Sequence, residues 1–241
     1  MATYACSDLH ARLDLFKKIQ SFLQPDDIVY FLGDAADRGP DGWQLIKEIV
    51  NDSRFIYLKG NHEDMLIKAA DDYFKYDYLG EAYNLLVYNG GESTFQSLIL
   101  DEFGAAWINY LRKLPTHEEY TNINGQEVLL SHAGYNPALT EEDDLLLPNE
   151  YELMWNRDHY VQYFDINEFN NCIIVHGHTP IPHLAEDLGI SVWTKIPGPL
   201  WYEDKHKVCI DNGAFVTGAA YLLNLDTWES HTITTTHNKN N

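Results

Sequence analysis

Val29-Tyr30-Phe31-Leu32-Gly33-Asp34-Ala35-Ala36-Asp37-Arg38-Gly39-Pro40 joins four strand-forming apolar residues to a polar segment punctuated by Gly and Pro. A short β-branched and aromatic run of this kind reads as a buried strand, and the Gly-Asp behind it marks the strand's carboxyl end. The construction recurs. Tyr4-Ala5-Cys6 runs into Ser7-Asp8-Leu9-His10, and Phe55-Ile56-Tyr57-Leu58 into Lys59-Gly60-Asn61-His62-Glu63. Val128-Leu129-Leu130 runs into Ser131-His132-Ala133-Gly134, and Ile173-Ile174-Val175 into His176-Gly177-His178-Thr179-Pro180. Ligands of open α/β sheets bind just beyond the carboxyl ends of strands. Five clusters in that relation to an apolar run therefore point to one shared site.

Strand-like runs are expected at Thr3–Cys6, Ile28–Leu32, Phe55–Leu58, Glu127–Leu130, Cys172–Val175, Lys207–Ile210 and Ala220–Leu225. Helix-period segments lie between several of them. Arg12–Leu23 places Leu13, Phe16, Ile19, Phe22 and Leu23 on one face; Gly42–Val50, His62–Phe74 and Glu102–Leu114 read similarly. Strands alternating with helices predict an α/β protein with a largely parallel sheet, and the strands from Lys207 onward, read without helices between them, predict a second, more antiparallel one. A single domain is expected over 1–231, with the acidic, aromatic stretch 71–104 as a helical insertion acting as a lid over the site, and 232–241 as a polar tail.

With 241 residues, 45% of them hydrophobic, the chain can bury a full core. No apolar run reaches membrane-spanning length, and the N-terminus lacks the basic start of a signal peptide, so a cytoplasmic address is expected. Cys6, Cys172 and Cys209 sit singly in apolar runs and read as core residues rather than a disulfide frame. The formal net charge of -21 argues against nucleic acid as a partner, because affinity for polyphosphate chains comes from Lys and Arg. An acidic protein that binds phosphate must supply positive charge locally.

Metals and a few arginines are the expected source. Asp8, His10 and Asp34 form one candidate ligand set; Asn61, His132 and His178 form a second, with Asp34 bridging. Two carboxylates, three imidazoles and an amide oxygen, without thiolate, suit Mn, Fe, Zn or Mg in a catalytic site better than a structural zinc.

These clusters, with Asn89-Gly90-Gly91-Glu92-Ser93-Thr94, Trp155-Asn156-Arg157 and Ile210-Asp211-Asn212-Gly213-Ala214, resemble the calcineurin-like metallophosphoesterases, most nearly the bacterial and phage-type PPP serine/threonine protein phosphatases. The resemblance implies an αββα sandwich of two sheets and a pair of divalent ions, Mn first among Fe, Zn, Mg and Ni. It implies hydrolysis of phosphoserine or phosphothreonine in proteins, or of a small phosphoester, by in-line attack of a hydroxide bridging the ions. On that pattern His62 is the general acid, Asp37 favours its protonated form, and Arg38, Arg157, Lys59 and Asn61 contact phosphate. Ser7, Ala11 and Lys59 depart from residues usual in the family. Glu63 reads as a helix-capping residue, His176 as a core residue or one packed behind the ligands, and His117, His159, His183, His206, His231 and His237 as surface residues. Tyr73, Phe74, Tyr76 and Tyr78 either pack the insertion or line a substrate groove. The competing activity is that of a diadenosine tetraphosphatase-like nucleotide hydrolase; Asp37 and Glu63 favour the protein phosphatases.

Overall fold

A computed structural model describes residues 1–135, 149–157, 172–189, 198–202 and 206–235. In chain order the elements are β1 (Thr3–Cys6), α1 (Leu13–Phe22), β2 (Ile28–Phe31), α2 (Gly42–Asn51), β3 (Phe55–Tyr57), α3 (Asn61–Tyr76), α4 (Glu81–Tyr88), α5 (Glu92–Leu100) and α6 (Gly104–Leu111). They continue as β4 (His117–Thr121), β5 (Glu127–Ser131), α7 (Glu150–Trp155), β6 (Ile173–His176), α8 (Ile181–Asp187), β7 (Leu200–Trp201), β8 (Lys207–Cys209), α9 (Ala214–Thr217), β9 (Ala219–Asn224) and β10 (Ser230–Thr234).

Two five-stranded sheets result, ordered β10-β9-β1-β2-β3 and β4-β5-β6-β8-β7. Period-two alternation along the strands sorts their side chains into layers. Ala5, Tyr30, Leu32 and Leu58 of the first sheet share a core with Val128, Leu130, Ile173, Val175 and Val208 of the second. Their sequence neighbours point the other way. Cys6, Val29, Phe31 and Tyr57 pack under Phe16 and Ile19 of α1, Trp43 and Ile46 of α2, and Met65 and Leu66 of α3. Leu129 and Ile174 meet Leu153 of α7, and Cys209 meets Ile181 and Leu184 of α8. The expected αββα sandwich follows from that alternation.

The first sheet runs parallel from β1 through β2 to its edge strand β3, with β9 antiparallel to β1 and β10 to β9 on the other side; the second has a parallel centre, β5-β6-β8, and antiparallel edges, β4 on β5 and β7 on β8. This corrects the expectation for the last strands. They do not form an antiparallel sheet of their own: β8 extends the second sheet beside β6, α9 intervenes, and β9 and β10 return to the first. Thr232–Thr234, expected in the tail, are paired in β10. His159, His237 and the tail beyond Thr235 lie outside the described residues. The 71–104 stretch is largely helical, and its Leu86, Phe95 and Leu98 enter the core of the first sheet. Within it, Tyr73 packs against Phe95, while Phe74, Tyr76 and Tyr78 are exposed. Among the described residues no helix is long and apolar enough to cross a membrane.

Candidate metal centre

The carboxyl ends of β1, β2, β3, β5 and β6 open at one end of the sandwich and deliver the five polar clusters there. The backbone bends sharply to do so. Of the nine non-glycine residues with positive φ among those described, seven lie in these clusters: Asp8, His10, Ala11, Asp34, Asp37, Arg38 and His178. Such conformations cost energy in non-glycine residues and persist where surrounding contacts enforce them.

Glu63, in the first turn of α3, is one enforcer. Its buried carboxylate accepts from the amides of Asp34 (2.8 Å), Ala35 (3.0 Å), Ala36 (3.3 Å) and Gly60 (2.9 Å) and from the Tyr57 hydroxyl (2.8 Å). The capping role expected from Gly-Asn-His-Glu is present, and beyond it Glu63 ties the β2 loop to the β3 loop. Glu63→Ala leaves those donors buried without an acceptor. We expect a loss of roughly 3–5 kcal/mol in unfolding free energy, read by urea denaturation; a loss below about 1 kcal/mol would contradict this role.

The ligand candidates converge. Asp34 Oδ2 lies 3.4 Å from His132 Nε2, 3.6 Å from His10 Nε2 and 3.8 Å from His62 Nε2. His132 Nε2 lies 2.9 Å from Asn61 Oδ1 and 3.2 Å from His178 Nδ1, and His178 Nδ1 lies 3.0 Å from Asn61 Oδ1. Asp8 Oδ1 is 4.0 Å from His10 Nε2, and Asp8 Oδ2 accepts from the His178 amide (3.0 Å) and from the Ser7 hydroxyl. Gly177 leaves room for that carboxylate: a Cβ there would collide with Asp8 Oδ2 and Ser7 Oγ. Donor atoms of His10, Asp34 and His62, and of Asp34, His132 and His178, each fall within 4.8 Å of one another.

This donor set fits two cations. His10 Nδ1 and His132 Nδ1 face the carbonyls of Ala36 (2.9 Å) and Leu32 (2.8 Å), which assigns the proton to Nδ1 and turns each Nε2 lone pair inward. Two imidazole nitrogens and an amide oxygen within 3.2 Å of one another repel unless a proton or cation lies between them. The charges say the same. Burial works against a charged His132, yet Asp34 and Asp8 push its pKa up to about 10. Burial raises Asp8, while the surrounding imidazoles overcome burial to hold Asp34 well below the usual range. Burial lowers both His10 and His178, so they offer neutral nitrogens.

His62 meets the same cluster but is engaged differently. Its Nδ1 lies 2.7 Å from Asp37 Oδ2, and its Nε2 lies 3.2 Å from Arg38 Nη2. Burial disfavours its charge, but Asp34 and Asp37 outweigh burial and raise its pKa. Asp37 is fully buried, and burial raises its own pKa, the contact with His62 acting the other way.

Lys59 Nζ donates to the carbonyl of Arg112 (3.0 Å) just after α6, where a cation complements the helix end. Arg157 is exposed, and its charge is among the influences lowering His178. His176 is buried, 3.1 Å from the Tyr202 hydroxyl, as expected of a core residue. His183 is exposed, but His117, His206 and His231 are half-buried. Sequence reasoning assigned no role to Asp211, buried and electrostatically linked to Asp8 and Arg38, or to Phe215, whose ring meets Arg38 and His10. Asp211 stands in a segment that carried the family resemblance; Phe215 carried no local signal.

The family model described as "Calcineurin-like phosphoesterase" matches residues 1–210. The "Bis(5'-nucleosyl)-tetraphosphatase, symmetrical" of Legionella pneumophila (strain Lens) is 25% identical over 175 residues, covering 68% of this chain and 55% of the relative. The chain thus spans about half the length of the curated relatives it matches. Among solved structures, one ascribed to a diadenosine tetraphosphatase superimposes with a TM-score of 0.57 at 16% identity, covering 96% of this chain and 92% of the other. A protein serine/threonine phosphatase from Saccharomyces cerevisiae gives a TM-score of 0.54 at 17% identity, with 98% and 80% covered. At those identities the likeness is one of fold.

Proposed function

This chain belongs to the calcineurin-like phosphoesterase family, and from that premise we propose that it hydrolyses alkyl phosphomonoesters, with phosphoserine and phosphothreonine of proteins as the substrate class. Asp8, His10 and Asp34 would hold one divalent ion, and Asn61, His132 and His178 with Asp34 the other. Such a pair supplies Lewis-acid charge and lowers the pKa of bound water.

The remaining roles belong to the chain. His62, held by Asp37, carries a proton at Nε2 for the departing alkoxide, a poor leaving group that gains most from protonation. In the substrate-free chain Arg38 Nη2 faces that nitrogen at 3.2 Å, where Nε2 acts as acceptor; when a substrate enters, the guanidinium turns its planar donors to phosphoryl oxygens and Nε2 is freed to hold the proton. Asn61 and His62 begin α3, so the positive end of the helix dipole faces the incoming anion. Arg157 adds charge at the His178 side.

The observation that carries this reading is the buried 2.7 Å contact between Asp37 and His62. A proton donor of that kind matters for an alkoxide and little for a nucleotide phosphate, which leaves readily as an anion. The curated relatives favour a second reading, cleavage of dinucleoside tetraphosphates. Metal removal followed by single add-back of Mn, Fe, Zn, Mg or Ni separates them. We expect no turnover by the stripped protein, the highest rate with Mn, and kcat/KM for a phosphothreonine peptide at least about tenfold above that for a dinucleoside tetraphosphate, some 1.4 kcal/mol of discrimination. The reverse ranking would transfer the assignment to the nucleotide.

A further inference from the structure

α9 is a single helical turn bracketed by Gly213 (φ 63°) and Gly218 (φ 68°) and tied down on several sides. Asp211 Oδ1 accepts from the Gly213 amide (2.7 Å), Arg12 Nη1 donates to the Ala214 carbonyl (2.9 Å), and the Thr235 amide donates to the Gly218 carbonyl (3.0 Å). Arg12 follows directly on the loop that carries His10, so α9 is braced against the metal-binding end of the sandwich. The turn projects one aromatic ring inward. Arg38 Cζ stands 4.7 Å from the Phe215 ring centroid, and the His10 ring meets Phe215 edge-on, with centroids 5.7 Å apart and planes at 81°.

Arg38 needs such a partner. It makes no ion pair among the described residues, its backbone is held by a bond from its amide to the Gly90 carbonyl (2.9 Å), and its guanidinium makes a polar contact with His62 Nε2 and a ring contact with Phe215. An arginine side chain free to sample its rotamers would pay for ordering each time a phosphate bound.

We propose that Phe215 is a positioning residue that acts through Arg38. Its π face holds the guanidinium by cation–π attraction beside His62, so that only a short turn over the ring brings the donors to phosphate, while the edge-on contact between Phe215 and His10 keys the ring to the metal-binding loop. This rests on the assignment of Arg38 to phosphate binding. A second consequence is that side-chain shape alone does not suffice at this position: leucine fills space but presents no π face.

The test uses the metal-loaded full chain with Phe215→Leu and Phe215→Tyr, each also combined with Arg38→Ala. With an alkyl phosphomonoester, Phe215→Leu should raise KM about tenfold while kcat stays within about threefold, and Phe215→Tyr should stay within about twofold of wild type. In the Arg38→Ala background Phe215→Leu should cost under about twofold. An equal loss in both backgrounds, or a tyrosine variant as impaired as the leucine one, overturns the proposal. A second readout needs neither metal nor turnover: the Arg38 Nε–H resonance, assigned by its disappearance in Arg38→Lys, should be shifted upfield by the ring. That shift should vanish in Phe215→Leu and survive in Phe215→Tyr; its absence in wild type sinks the clamp. Should wild type turn over no phosphoester while the shift is present, the phosphatase reading fails and the contact between ring and guanidinium stands.

Discussion

Asp34→Asn should strip ions from the protein and lower turnover of an alkyl phosphomonoester by about three orders of magnitude, equivalent to roughly 4 kcal/mol of barrier. Asp34 is the side chain common to both donor clusters, with Oδ2 within 3.8 Å of His10, His62 and His132. Its other oxygen accepts from the His62 amide at 3.0 Å, so the carboxylate cannot swing aside to be replaced by a neighbour. Asparagine preserves the size and that acceptor but removes the negative charge and one of the two oxygens. Metal analysis should show fewer than two ions per chain, and the deficit should persist at ion concentrations that saturate wild type. Glu63 still braces the loop through the Asp34 amide, so circular dichroism should report an intact fold. A variant that keeps two ions and full rate would refute the bridging assignment.

His62→Asn should behave in the opposite way: metal content unchanged, rate selectively lost. On an alkyl phosphomonoester kcat should fall by about 10²–10⁴, the usual worth of a positioned general acid. On an aryl phosphate with an acidic phenol as leaving group the fall should be below about tenfold, since that oxygen departs without a proton. The distinction comes from geometry. His62 lies close enough to Asp34 to pass for a ligand, but its nitrogens are taken up by Asp37 at 2.7 Å and Arg38 at 3.2 Å. Asp37→Asn should reproduce part of the selective loss, because an amide orients the ring without favouring its charged form. Equal losses on both esters would remove the proton-transfer role and leave His62 as an ordinary wall of the site. Loss of an ion would make it a ligand.

The candidate ligands were legible because each follows a short apolar run, and a strand's end is a local property: the run stops, Gly or Asp turns the chain, and the next side chain faces outward. Asp8, His10, Asp34, Asn61, His132 and His178 were found in this way without knowledge of which strand neighbours which. The layers came from the family resemblance; in the fold, β1, β2, β5 and β6 are apolar on both faces and are covered on both sides. Lys59 shows where this stops: its position beside Gly60 and Asn61 suggested a charge for the substrate, and only the packed chain shows that its Nζ also meets the carbonyl at the end of α6.

The sequence by itself therefore determined the secondary elements that bear the site, the chemical type of its donors and their order along the chain. Only the tertiary structure decided that β9 joins β1 while β8 stays with β6, that one glutamate braces two loops, and that Phe215 comes to rest on an arginine 177 positions earlier in the chain. The physical reason is one of range. Alternation and turn chemistry are written in neighbouring residues, whereas strand partners and side-chain contacts between distant segments are selected by the free energy of the whole packed molecule.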